Sequence, residues 1–151
     1  MPGMKVTGVT HWSIPVNNLD ESERFYGELL GLKHLGRLGN ARMSCFNVGD
    51  HNILLCERPN KETPEDDGAR VHHSFNVDPD KWEEAVAEVH RWGAELAPDE
   101  PLVYREKGYF TGRELYLMDP SGNRIEIRDG TWKAGMPKPS IEEIVAKAPA
   151  A

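Results

Sequence analysis

Residues 112–130 read GRELYLMDPSGNRIEIRDG, and the fold is decided here. From Arg124 to Arg128 charged and apolar side chains alternate, which is the period of a strand with one buried face. Ile125 and Ile127 point to one side and Glu126 to the other. Leu115 to Met118 reads as a preceding strand. Asp119-Pro120-Ser121-Gly122-Asn123 between them is a turn, since proline fixes φ while glycine and asparagine accept positive φ. The result is a hairpin with a carboxylate in the middle of its second strand. Burying that carboxylate is costly unless it is paired, hydrated or bound to a cation.

Its partners emerge from internal similarity. His11-Trp12-Ser13-Ile14-Pro15-Val16 recurs about sixty residues later as His72-His73-Ser74-Phe75-Asn76-Val77, both following His-x-Ser-apolar-x-Val. Each copy leads to a helix start of the same kind, Asp20 with Glu23 and Asp80 with Glu83, which reads as an aspartate N-cap with a capping box. Gly31 and Gly93 mark the helix ends. The chain therefore reads as two tandem βαβββ modules, an α+β fold in which a pseudo-twofold axis sets His11 opposite His72 and lets Glu126 join them.

A single domain of 151 residues is long enough for a real core. Its formal charge of −7 argues against nucleic acid or an anionic membrane as partner. With no signal-peptide pattern and no window resembling a transmembrane span, the expected location is cytoplasmic. Cys45 and Cys56 are expected to be reduced and packed there.

The first unit spans about residues 6–58. Residues 6–16 form its first strand, 20–30 an amphipathic helix covering the sheet with Phe25, Leu29 and Leu32, and 33–38, 42–48 and 52–57 three further strands. Gly39-Asn40 and Gly49-Asp50 supply turns. Residues 59–69, acidic and broken by two prolines, read as a linker. The second unit, about 70–130, repeats the order: a strand at 70–77, a helix at 80–92 with Trp82, Val86 and Val89 inward, a short strand at 95–97, and the hairpin. Residues 98–111, PDEPLVYREKGYFT, read as a loop and a candidate lid. In the tail, 131–151, a short helix is expected over 141–147, packing on a partner surface or fraying.

A lone strand histidine is usually a surface or core residue, but equivalent histidines in two copies carry more weight. His11, His72 and Glu126 together offer two imidazoles and a carboxylate, a set that binds Fe(II), Mn(II), Zn(II) or Ni(II) and leaves coordination positions open. The alternative is an organic ligand bound without metal, the histidines serving as hydrogen-bonding groups. Alternation puts His73 beneath the helix, where Trp12 stands in the first unit, so His72 is the ligand. His34, His51 and His90 read as surface residues.

These segments resemble the vicinal oxygen chelate superfamily, which holds glyoxalase I, fosfomycin-resistance enzymes, bleomycin-binding proteins, methylmalonyl-CoA epimerase and extradiol dioxygenases. The resemblance spans about residues 7–130. It rests on Gly8-Val9-Thr10-His11-Trp12-Ser13-Ile14, Phe25-Tyr26-Gly27-Glu28-Leu29-Leu30-Gly31-Leu32, the histidine motif from His72, and Leu115 through Glu126. It implies a cup-shaped mixed β-sheet with helices outside, around a metal that a substrate chelates through adjacent oxygens. Leu54 stands where metal-dependent glyoxalase I and the epimerase have a fourth ligand, and residues 106–110 lack the histidine of extradiol enzymes. Bleomycin-binding members lack the metal set that is kept here, and Ser13 matches a small hydroxyl of fosfomycin enzymes.

The resulting expectation is a dioxygenase-like enzyme with Fe(II) or Mn(II) on His11, His72 and Glu126, Zn(II) and Ni(II) also fitting. Tyr116 and Glu114 would be catalytic and Ser13, Arg124 and Asn47 would touch a small-molecule substrate, the residues of the closing hairpin sharing the face of Glu126. A glyoxalase-like or fosfomycin-type lyase, isomerase or transferase is the second reading, and a non-catalytic binder of small drug-like molecules the third. The resemblance also implies a homodimer, with exchanged units favoured, each metal taking His11 from one chain and His72 with Glu126 from the other; the linker at 59–69 is long enough to permit pairing within one chain as well.

Overall fold

The computed structural model describes residues 3–39, 42–61 and 70–149. Two compact units divide at residues 63 and 64, so most of the expected linker, and Asn40 of one expected turn, lie outside the described residues. In each unit a helix packs on one face of a four-stranded mixed sheet, which is the α+β, tandem βαβββ plan.

In the first unit β1 (His11–Val16) pairs in parallel with β4 (His51–Glu57), which continues antiparallel to β3 (Met43–Val48) and then β2 (Lys33–Arg37). Ile14, Val16, Phe46, Ile53 and Leu55 form the buried face. β1 begins at His11 rather than residue 6, and Trp12, on the apolar side by alternation, is largely exposed. The expected aspartate cap is displaced. Helix α1 (Leu19–Arg24) is capped by Asn18, whose side chain accepts from the Glu21 amide, because this asparagine has the extended backbone a cap needs. A π-helical turn, Phe25–Leu29, follows. Its wider turn brings Phe25 and Tyr26 inward together, so Tyr26 takes the core place expected of Leu29 and Leu32.

The second unit repeats this order, with β5 (His72–Asn76) parallel to β8 (Arg124–Asp129), then β7 (Gly112–Met118) and β6 (Leu102–Arg105). A 3-10 turn, Pro79–Lys81, capped by Asp78 rather than Asp80, opens α2 (Trp82–Trp92), which stops at Gly93 in the left-handed region. Trp82, Val86 and Val89 on the helix and Leu115, Leu117, Ile125 and Ile127 on the sheet are all buried. The second strand of this unit is not 95–97, which makes a single bridge at Leu96, but β6, inside the stretch expected to be a loop. Pro98 and Pro101 both precede that strand without entering it. At the closing turn Asp119 accepts from the amides of Ser121 and Asn123, and only Gly122 has positive φ.

Helix α3 (Ile141–Lys147) falls where expected, opened by a Ser140–Glu143 capping box. It packs on α2 of its own chain, with Ile144 buried. Trp132 is also buried, its indole donating to the Pro137 carbonyl, and the Tyr104 hydroxyl on β6 donates to Pro139.

Candidate functional site

The two parallel pairs have the same register. His11 pairs with Asn52 and Ser13 with Leu54, as His72 pairs with Arg124 and Ser74 with Glu126. Leu54 is therefore the structural counterpart of Glu126, and His11 that of His72. Across the next ladder Met43 pairs with Cys56 and Cys45 with Leu54, matching Glu114 with Arg128 and Tyr116 with Glu126.

Register places His72, Ser74, Arg124, Glu126, Arg128, Glu114 and Tyr116 on one face of the second sheet. Leu115, Leu117, His73 and Phe75 share the opposite, helix-covered face. Burial lowers the pKa of the His73 imidazole, an effect larger than the opposing pull of Asp119.

On the polar face, Glu126 is about 5% exposed. Its Oε2 accepts from Ser74 Oγ at 2.6 Å, and its Oε1 lies 3.4 Å from His72 Nε2. The other imidazole nitrogen, Nδ1, is 2.8 Å from the Arg70 carbonyl, which can only accept. Nδ1 therefore carries a proton, and Nε2 is the ring nitrogen that faces the carboxylate. Arg70 adopts φ +54°, a left-handed conformation uncommon outside glycine. Two metal donors each about 2.1 Å from one cation stand about 3.0–3.4 Å apart at right to tetrahedral angles. The His72–Glu126 spacing, the fixed tautomer and the second contact on each ligand thus fit two donors of a divalent metal site.

Glu114, also buried, is held by Arg105, whose Nη2 is 2.9 Å from Oε1 and whose Nε is 3.1 Å from the same oxygen. The Tyr116 hydroxyl donates to that oxygen at 3.0 Å, and its ring stands edge-on to His72 at 5.9 Å. Burial, then the carboxylates of Glu126 and Glu114, push the Tyr116 pKa well above that of free tyrosine, so the phenol stays a donor at any ordinary pH. Arg124 pairs with Asp99 at 3.2 Å. In the first unit His11 and Ser13 are exposed on β1, while the Asn47 amide reaches the carbonyls of Gly49 and His51 and the side chain of Asn52.

His72, Glu126, Tyr116 and Glu114 are thus brought together within the second unit, with Arg124 on the same face. Among the described residues no three His, Cys, Asp or Glu side chains are grouped to hold a metal. Arg105 and Arg128 were not anticipated. Alternation already set Arg128 beside Glu126, but Arg105 depended on recognising β6.

The family model described as Glyoxalase/Bleomycin resistance protein/Dioxygenase superfamily matches residues 8–127. A metallothiol transferase FosB from Staphylococcus epidermidis is 25% identical over 134 residues, 88% of this chain and 89% of the relative. Among solved structures, the fosfomycin resistance protein FosX from Listeria monocytogenes aligns with a TM-score of 0.66 at 18% identity, over 83% of this chain and 95% of that one. Lactoylglutathione lyase from Agrobacterium tumefaciens aligns with a TM-score of 0.61 at 19% identity, over 85% and 98%.

Proposed function

Because the chain belongs to the glyoxalase/bleomycin resistance protein/dioxygenase superfamily, we propose that it is a divalent-metal-dependent enzyme of the fosfomycin-type transferase or glyoxalase-like lyase class. The observation that carries this is the apposition of His72 Nε2 and Glu126 Oε1, with the imidazole tautomer set by the Arg70 carbonyl. A third ligand is assigned to His11, the register equivalent of His72. Mn(II) or Fe(II) suits such a nitrogen and oxygen set, and when bound it supplies positive charge that stabilises an oxyanion on a substrate with adjacent oxygens.

This chain's own residues then have separate tasks. Ser74 orients Glu126, which turns Oε1 toward His72. Tyr116 keeps its proton on Glu114, so its hydroxyl oxygen presents lone pairs that accept from a substrate O–H and it does not act as a base. Glu114, tied to Arg105, orients that hydroxyl, a positioning role rather than the catalytic one expected of it. Ser13, Asn47 and Arg124 remain proposed substrate contacts. For Arg124 to reach a substrate anion it has to relinquish Asp99.

The transferase or lyase reading is preferred to the dioxygenase one because the similar proteins carry those activities in their names. The test loads the protein with Mn(II) and offers fosfomycin with a thiol, and separately the hemithioacetals of glutathione with methylglyoxal and phenylglyoxal. Turnover of one of these, lost in Glu126→Gln, is the expected result. Oxygen uptake with catechols and no turnover of the panel would restore the dioxygenase reading. Tight ligand binding in excess chelator would favour a non-catalytic binder.

A further inference from the structure

The β6–β7 connection carries an aromatic pair at its tip, Tyr109 and Phe110, which are 94% and 63% exposed and pack edge to face at 4.9 Å. Two bulky rings held in water at a loop tip contribute little to the core, so their place needs another cause. The tip is fastened to one side chain. The Arg128 guanidinium lies 5.6 Å from the Phe110 ring centroid and donates from Nη2 to the Thr111 carbonyl at 2.8 Å. Its Nε is 3.3 Å from Glu126 Oε2, an ion contact without hydrogen-bond alignment that leaves this buried N–H without a bonding partner. Its Nη2 also stands 3.7 Å from Glu114 Oε2.

The slot for this guanidinium is built by glycines. A Cβ on Gly112 would come within 3.2 Å of Arg128 Nη2, and one on Gly130 within 3.3 Å of Nη1. One arginine thus spans the carboxylate assigned to the metal and the aromatic tip. Cation–π contact and the Thr111 bond restrain the ring beside the polar face.

We propose that Arg128 is a positioning residue that latches the Tyr109–Phe110 tip over the polar face of the second sheet, and that Phe110 is the specificity-determining wall against which a planar ring of the chelating substrate stacks. This rests on the metal-centre reading given above. Arginine is required because its fork contacts a carbonyl, a ring and two carboxylates at once, which the point charge of lysine does not do.

Two measurements test it. Limited chymotrypsin cleavage after Tyr109 and Phe110 in the metal-free protein reads the latch: Arg128→Gln should speed cleavage there at least about 10-fold, and Arg128→Lys should restore only part of the resistance. Unchanged cleavage in Arg128→Gln, or full restoration by lysine, overturns the latch. Two chelating probes, 4-nitrocatechol with a ring and oxalate without one, read the wall on the Mn(II)-loaded protein. Phe110→Ala should weaken 4-nitrocatechol binding about 10-fold and leave oxalate within about 2-fold. Equal loss of both, or of neither, overturns the wall. Binding of neither probe to the wild type also overturns it, and metal content then separates the cases: retained Mn(II) means that only this inference fails, whereas absent Mn(II) removes the metal centre as well.

Discussion

Replacing His72 and His73 separately with alanine tests the register on which the proposed site depends. The neighbours sit on opposite faces of β5, His72 paired with Arg124 and His73 with Ile125. His72 is partly exposed, with its ring nitrogens at the Arg70 carbonyl and the Glu126 carboxylate. Its removal deletes a surface contact worth under about 1 kcal/mol, so folding stability should barely change. Metal affinity should fall by far more. Loss of groups that merely support a ligand typically costs 10–100-fold, so losing a donor itself should exceed about 100-fold. His73 is half-buried on the side of Leu117 and Ile125. Truncating it leaves a partial cavity costing about 1–2 kcal/mol, or roughly 0.5–1 M in the urea midpoint for a domain of this size. Mn(II) titration calorimetry and urea unfolding on both variants give the answer. A His73→Ala protein that loses metal while His72→Ala keeps it would refute the register.

Three further outcomes are expected. Gly112→Ala should destabilise the protein by about 2–5 kcal/mol in urea unfolding, since φ is +141° and a Cβ would sit 2.5 Å from the Asp129 carbonyl oxygen; a loss below 1 kcal/mol would show that the strand yields. Asp129 is buried, which alone would raise its pKa, but hydrogen bonds from Thr131 and Arg113 outweigh this and lower it. Its contribution is thus complete above pH about 3.8, the unfolded value, and is lost as pH falls through the lower folded value. Asp129→Asn should therefore be less stable than wild type at pH 7 and approach it only as pH falls below about 3.8 toward the lower folded value, and a difference independent of pH would contradict this. Mixing His11→Ala chains with Glu126→Ala chains should restore one intact metal site per heterodimer if the units are exchanged between subunits; no restored metal, or a monomeric mass at micromolar concentration, removes that arrangement.

The repeat was legible because its signals are local: the His-x-Ser-apolar-x-Val strand, the glycine helix ends and the alternation around Glu126 each follow from period and backbone chemistry. What escaped was set by tertiary context. Strand β6 follows a turn marked by Pro98 and Pro101 and contains only Leu102–Arg105, a run too short for periodicity to separate from loop. Both helix caps sit two residues before the expected aspartates, at Asn18 and Asp78. The wide turn at Phe25–Leu29 has no period that alternation or heptads would reveal, and it alone accounts for Tyr26 in the core.

The paired registers also explain why the chemistry gathers on one unit. At four equivalent positions the first sheet has Met43, Cys45, Leu54 and Cys56, and the second has Glu114, Tyr116, Glu126 and Arg128. A buried carboxylate is tolerated only with compensation. Installing Glu126 alone in the first unit's surroundings would leave it facing a methionine, two thiols and a serine. The second unit meets the cost as a set: Arg128 lies against both carboxylates, Arg105 takes the remaining oxygen of Glu114, and Ser74 takes one oxygen of Glu126. That leaves Glu126 Oε1 as the carboxylate oxygen turned toward His72 Nε2. The two units share strand order and the register of their parallel pairs, but only the second carries the arginines that hold such an oxygen in place.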